Sequence, residues 1–199
     1  SAASDVYKRQ GPDRAFWVGT MHNVPLSDME PHGELWRITE KSAERMQSGL
    51  TCPNGLAFSS DGSIMWQSDS VQKWIRRRKF DRLNGTFDEG VQVARMTEET
   101  GRPDGGCLDS SGNYYSAGVS AGVLNIFSPD GKLTNVIAAP VPHPTMPCFG
   151  GPDFSILFLT SHRHNMSEDR LEKAPFSGGV WAIPTQTRGF AGFRFGEGG

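Results

Sequence analysis

The feature that most constrains this chain is a repeat of its own sequence. Pro53-Asn54-Gly55-Leu56-Ala57-Phe58-Ser59-Ser60-Asp61-Gly62 reappears without a gap, fifty residues on, as Pro103-Asp104-Gly105-Gly106-Cys107-Leu108-Asp109-Ser110-Ser111-Gly112. Each copy leads into a strand-like run, residues 64–67 and 114–117. A third copy runs from Met146 through Gly150-Gly151-Pro152-Asp153 into 157–160. A fourth, incomplete copy is Gly11-Pro12-Asp13 followed by 16–19. Short β-branched and aromatic runs at 15–19, 34–38, 63–67, 113–117, 123–127, 156–160 and 179–183 are bounded by Gly, Pro, Asp or Ser. Such runs are the signature of short antiparallel strands. Turns of the Ser-x-Asp-Gly kind follow several of them, with glycine supplying a positive φ. Helix signals are scarce; the best is 42–47, SAERMQ, closed by Gly49.

Repeats of 40–50 residues with about four strands each describe the blades of a β-propeller. A plain sandwich also offers short strands, but not gapless self-similarity at an offset of fifty residues. The fold class expected is therefore all-β, a β-propeller with about four blades in 199 residues. Residues 1–10 do not fit the pattern and the N-terminal copy, at Gly11-Pro12-Asp13, lacks its leading Pro-x-Gly. The expected organisation is a non-matching, foreign N-terminal segment over 1–10 and the C-terminal part of one propeller over 11–199.

Composition narrows the functional classes. The formal net charge of −2 argues against a polybasic nucleic-acid binder and against an acidic disordered tail. The 24 glycines and 13 prolines suit many turns rather than long helices. No apolar run approaches the roughly 20 residues of a membrane-spanning helix. Three cysteines, Cys52, Cys107 and Cys148, form no metal-type pair spacing and no even disulfide set. A reducing, cytoplasmic setting is expected.

In a propeller the first strand of each blade lines a central channel, so equivalent positions in successive blades converge on one axis. Asn54 and Asp104 are such equivalents, each twelve residues before its counterpart on the next strand, Trp66 or Ser116. Either dipeptide alone, Asn-Gly or Asp-Gly, reads as a hairpin turn. At matched blade positions, each behind a proline, the pair favours a cation site. Hard amide and carboxylate oxygens suit Ca²⁺ first, with Mg²⁺, Mn²⁺ or Zn²⁺ as alternatives.

These residues and their surroundings resemble the gluconolactonase and senescence-marker-protein (regucalcin-like) family of six-bladed propellers. The matching stretches are Gly19-Thr20-Met21, Gly33-Glu34-Leu35-Trp36, Pro53-Asn54-Gly55-Leu56, Ser68-Asp69-Ser70, Arg102-Pro103-Asp104-Gly105-Gly106, 144–151 (PTMPCFGG) and Gly178-Gly179-Val180-Trp181. They run from Gly11 to the C-terminus in the family's order. The resemblance implies divalent-metal-dependent hydrolysis of sugar lactones to aldonic acids. It implies Asn54 as a metal ligand and Asp104 as both metal ligand and catalytic residue. The family's third ligand, a Glu of its first blade, and its substrate-gripping Arg and Asn precede the matching stretches. Asp5, twelve residues before Trp17, has neither Pro nor Gly beside it, and Val24 stands near the place of a family Glu. The chain thus carries about half of a metal site. Because the family includes calcium-binding proteins, a non-catalytic calcium-binding or scaffold propeller is the alternative. The expected partner is a small sugar lactone, with no nucleic acid and no membrane; oligomeric state is open.

Other constellations weigh less. Gly118-Val119-Ser120-Ala121-Gly122 has the spacing of a serine-hydrolase elbow, but a strand rather than a helix follows it, so a tight turn is expected. His162 and His164 share a face if extended, yet the polar surroundings favour a solvated loop over half a transition-metal site. His22, after Gly-Thr-Met, is a substrate-binding candidate at a strand end. The basic run Arg76-Arg77-Arg78-Lys79 reads as a solvated outer strand, and Cys148 as a buried structural thiol.

Overall fold

The computed structural model describes residues 3–196. Sixteen strands form four antiparallel meanders. The first holds β1 (Ala3–Gln10), β2 (Phe16–His22), β3 (Gly33–Ile38) and β4 (Ala43–Leu50). The second holds β5 (Pro53–Phe58), β6 (Ile64–Asp69), β7 (Trp74–Asp81), β8 (Thr86–Phe87) and β9 (Val91–Arg95). The third holds β10 (Pro103–Leu108), β11 (Tyr114–Gly118), β12 (Val123–Phe127) and β13 (Leu133–Ala138). The fourth holds β14 (Pro144–Gly150), β15 (Ile156–Ser161) and β16 (Val180–Pro184), with a short helix α1 (Glu168–Lys173) before β16. The four repeat copies correspond one to one with the four meanders, each copy marking the first hairpin of its sheet. Every strand expected from sequence is present, with ends within three residues of those expected.

Two compact units divide the described chain: residues up to Arg95 together with those from Ala191, and Met96–Phe190. In the first unit, Ala15, Trp17, Leu35, Leu50, Leu56, Phe58, Met65, Trp74 and Phe80 form one core. The Trp17 ring, with no exposed surface, meets Phe58, Phe80 and Phe87 at centroid distances of 6.2, 5.6 and 6.0 Å. In the second unit the core joins Cys107, Tyr115, Leu124, Phe149 and Leu157, with Tyr115 edge-on to Phe149.

Turn chemistry explains the repeated aspartates. Asp61 accepts from Ser59 Oγ (2.6 Å) and from Ser63 N–H and Oγ (3.0 and 2.8 Å). Asp109 accepts from the N–H groups of Ser111 and Asn113, and Asp153 from Ser155. Asp13 instead receives Trp17 Nε1 (3.0 Å) and Arg37 Nε (2.7 Å), a nearly buried ion pair tying the β1–β2 turn to β3. Hairpins end and strands begin where these short acceptors replace missing ladder bonds.

Three expectations are corrected. Residues 42–47 are not helical: Ala43–Leu50 is strand β4, paired with β3. The bonds offered by the open side of β3 outweigh the modest helix propensity of Ala, Glu, Arg and Met. The basic run lies on a strand as expected, but it is not simply solvated. Arg78 is buried, lies over the Phe87 ring at 4.8 Å and donates to the carbonyl of Asp88 and to Gln47 Oε1. Its aliphatic stem packs while its two terminal nitrogens find acceptors. Cys148 is exposed rather than buried, because on β14 it alternates with the inward-facing Pro147 and Phe149; Cys52 and Cys107 are buried, and none of the three is in a disulfide. Of the segment 1–10, residues 3–10 form β1, paired along β2; residues 1 and 2 lie outside the described residues.

Candidate active site

A β-bulge recurs near the start of the first strand of every sheet. The ladder shifts between Asp5 and Tyr7, Asn54 and Ala57, Pro103 and Gly106, and Pro144 and Pro147. A bulge leaves residues out of the ladder and re-aims their side chains. Asn54, Asp104 and Thr145 each sit at this break, directly after Pro53, Pro103 and Pro144. Proline suits the first residue of such a strand, where no N–H is needed for the ladder. The twelve-residue spacing is adjusted by the structure: Ala57 faces Trp66, but Cys107 faces Tyr115, so the second hairpin is one residue shorter.

In the first unit Asn54 is buried. Its Nδ2 donates to Ser70 Oγ (3.2 Å) and its Oδ1 accepts the N–H of Gly55 (3.2 Å). The adjoining Asp69 is fully buried and structural: Oδ2 accepts from Thr51 and Cys52 N–H, and Oδ1 from Val71 and Gln72 N–H. The Ser68-Asp69-Ser70 stretch therefore shapes the Asn54 environment from beneath. His22 ends β2 at the same end of the strands. It is half-buried, lies edge-on to His32 at 6.2 Å, and its Nδ1 is buried with no hydrogen-bond partner among the described residues. His32 is in turn paired with Glu30 (2.9 Å).

In the second unit Asp104 is partly exposed and is followed by two glycines under close constraint. A Cβ on Gly105 would lie 2.4 Å from Met146 Sδ and 2.7 Å from the Thr145 carbonyl, so β10 and β14 approach closely there. A Cβ on Gly106 would meet the Tyr114 hydroxyl at 2.3 Å. In β14 the equivalent Thr145 shares a 2.7 Å hydrogen bond with Thr160. Gly118–Gly122 forms a tight turn between β11 and β12, and Ser120 Oγ accepts the N–H of Arg102 (2.9 Å). No helix follows, so this serine is not on a nucleophile elbow. His162 is half-buried, not solvated: its ring stacks on His143 with centroids 4.8 Å apart and planes 2° apart. His164 is exposed beside it. Burial, and then the charges of His143, His164 and Arg102, hold His162 below the usual imidazole range.

His143 escaped notice in the sequence because no motif surrounds it. One signal was available: Cys52, Arg102 and His143 each precede the proline that opens a first strand. Among the described residues no group of three or more His, Cys, Asp or Glu side chains has metal-binding geometry. Asn54 and Asp104, the two residues expected to ligate a cation, each sit at the bulge of their own sheet. No helix is long and apolar enough to cross a membrane among the described residues.

Comparison with known proteins places this architecture. Residues 8–163 match the model of the SMP-30/Gluconolactonase/LRE-like region. A 6-deoxy-6-sulfogluconolactonase of Pseudomonas putida is 36% identical over 186 residues, covering 92% of this chain and 62% of the relative. Regucalcin of Xenopus laevis is 28% identical over 176 residues, covering 86% of this chain and 59% of the relative. Among solved structures, a calcium-binding protein, regucalcin, from Agrobacterium tumefaciens superposes with a TM-score of 0.88 at 23% identity, covering 97% of this chain and 65% of that one. The chain thus spans about three fifths of the length of the curated relatives it matches. The fold class is the all-β propeller expected from the repeats.

Proposed function

The chain belongs to the SMP-30/gluconolactonase/LRE-like family, and from that premise we propose that it is part of a metal-dependent hydrolase of sugar lactones, yielding aldonic acids. The observation that carries this reading is the recurrence of an oxygen-bearing side chain at the same bulge of successive sheets, Asn54 and then Asp104. These two would hold a divalent cation, Ca²⁺ in the first instance, with Mg²⁺, Mn²⁺ or Zn²⁺ as competitors. When bound, such an ion polarises the lactone carbonyl as a Lewis acid. Asn54 contributes a neutral oxygen whose orientation Ser70 fixes through the amide nitrogen. Asp104 would contribute the negative charge and accept a proton from the attacking water. His22, half-buried at the strand end, is proposed to contact the sugar. The P. putida relative's name supports a sugar lactone as substrate class. Three free cysteines favour a reducing compartment.

Hydrolysis of glucono-lactone, followed by release of acid with and without chelator, tests the reading. Activity abolished by chelator and by Asp104→Ala supports it; unchanged turnover in Asp104→Ala refutes the assignment. A second reading, calcium binding without turnover, is favoured by the regucalcin relatives and by the description of the A. tumefaciens structure as a calcium-binding protein. It predicts cation binding with no hydrolysis of any sugar lactone offered.

A further inference from the structure

The strand ends that carry Asp104 in the second unit also carry arginine and histidine side chains that enter no salt bridge among the described residues. Arg102 precedes Pro103, and His143 holds the same place before Pro144. The two are joined through Val119, whose N–H donates to the Arg102 carbonyl (3.0 Å) and whose carbonyl lies 3.1 Å from His143 Nδ1. With Nδ1 as the donor, His143 keeps its lone pair on Nε2, which accepts from Arg170 Nη2 at 3.3 Å. His162 is clamped parallel to His143, and its N–H donates to the His143 carbonyl (3.1 Å). Among the described residues Arg102, Arg163 and Arg170 enter no ion pair. The charges acting on His162 are likewise those of His143, His164 and Arg102.

A transition-metal site is not what this arrangement offers. His143 has one ring nitrogen committed as a donor and the other as an acceptor, and stacked rings do not aim two lone pairs at one point. Two arginines without ion pairs, Arg102 half-buried and Arg170 exposed, set around a stacked histidine pair are instead the makings of an anion site. We propose that Arg102, His143, His162 and Arg170 form a subsite for an anionic group carried by the sugar lactone at the end remote from its ester: a sulfonate, a phosphate or a carboxylate. Arg170, anchored by one nitrogen to His143, keeps its other N–H groups for the oxyanion. Arg102, two residues from Asp104, joins the subsite to the proposed reaction centre. The inference rests on reading the chain as a sugar lactonase and adds the kind of lactone it selects.

The test uses the stable hydrolysis products, so it needs no turnover. Titration calorimetry compares gluconate, 6-deoxy-6-sulfogluconate and 6-phosphogluconate on the wild-type chain. The same titrations are made on Arg170→Gln, Arg102→Gln and Arg170→Lys, with melting temperatures to confirm folding. The expected result is an acid with a terminal anion bound about tenfold more tightly than gluconate, the scale of one charge-assisted hydrogen bond. The preference should fall below about threefold in Arg170→Gln and in Arg102→Gln, and partly return in Arg170→Lys. Whichever of sulfonate and phosphate shows the larger preference identifies the group. Equal affinity for all three acids in the wild type overturns the subsite, as does a preference that survives both glutamine variants. Preference without hydrolysis of any lactone keeps the subsite and refutes the lactonase reading; hydrolysis without preference does the reverse.

Discussion

The carboxylate of Asp61 is lowered from the usual value near 3.8 to about 2, first by the Ser59 hydroxyl and then by the N–H and hydroxyl of Ser63. A folded-state value below the unfolded one stabilises the fold fully above about pH 4, and that contribution is lost as pH falls toward 2. Asp61 is exposed, so the effect is modest. The gap in melting temperature between wild type and Asp61→Asn should be largest at neutral pH and close as the pH falls to about 2. His162 behaves in the same sense at higher pH. Its folded value lies below 6.5, chiefly through burial, so its neutral form stabilises the second unit above that pH and the benefit fades on acidification. His162→Gln should flatten the loss of stability below about pH 6.5, measured by thermal melts across the range. A slope identical to wild type would show that His162 is not the group responsible. Neither effect was legible in the sequence, where His162 stood in a polar stretch and His143, 19 residues earlier, had no motif to connect the two.

At the scale of the element, first strands are the most legible part of this chain. In β5 and β10, Pro, a polar residue, Gly and an apolar run recur because these strands start without an N–H partner, bulge, and are then buried on both faces; β5 is buried at all six positions. Outer strands are the least legible. β4 reads as helix and β13 is exposed throughout, because an edge strand answers to its neighbour's hydrogen bonds rather than to its own pattern. The close approach of β10 to β14 gives a direct prediction. Gly105→Ala places a methyl against Met146 and the Thr145 carbonyl and should cost about 1–3 kcal/mol, read from denaturant unfolding. In the first unit, Trp17→Ala empties the centre of an aromatic cluster and should cost about 3–5 kcal/mol in the same assay.

Across the whole molecule, the fifty-residue repeat made the fold class readable before any coordinate. Four copies became four meanders, and the conserved geometry of their bulges explains why Asn54 and Asp104 stood out together. The proposed chemistry was only half legible, since His143, His162 and Arg170 come from two strand ends and a helix and were brought together by folding alone. The central claim is that Asn54 and Asp104 serve one divalent cation, and a native-state ligand raises the melting temperature in proportion to its saturation. The most direct measurement is a Ca²⁺ titration of the melting temperature in wild type, Asn54→Ala and Asp104→Ala. A rise in wild type that weakens in Asn54→Ala and vanishes in Asp104→Ala is the predicted result. The same rise in all three proteins, or none in wild type with Ca²⁺, Mg²⁺, Mn²⁺ or Zn²⁺, would contradict it.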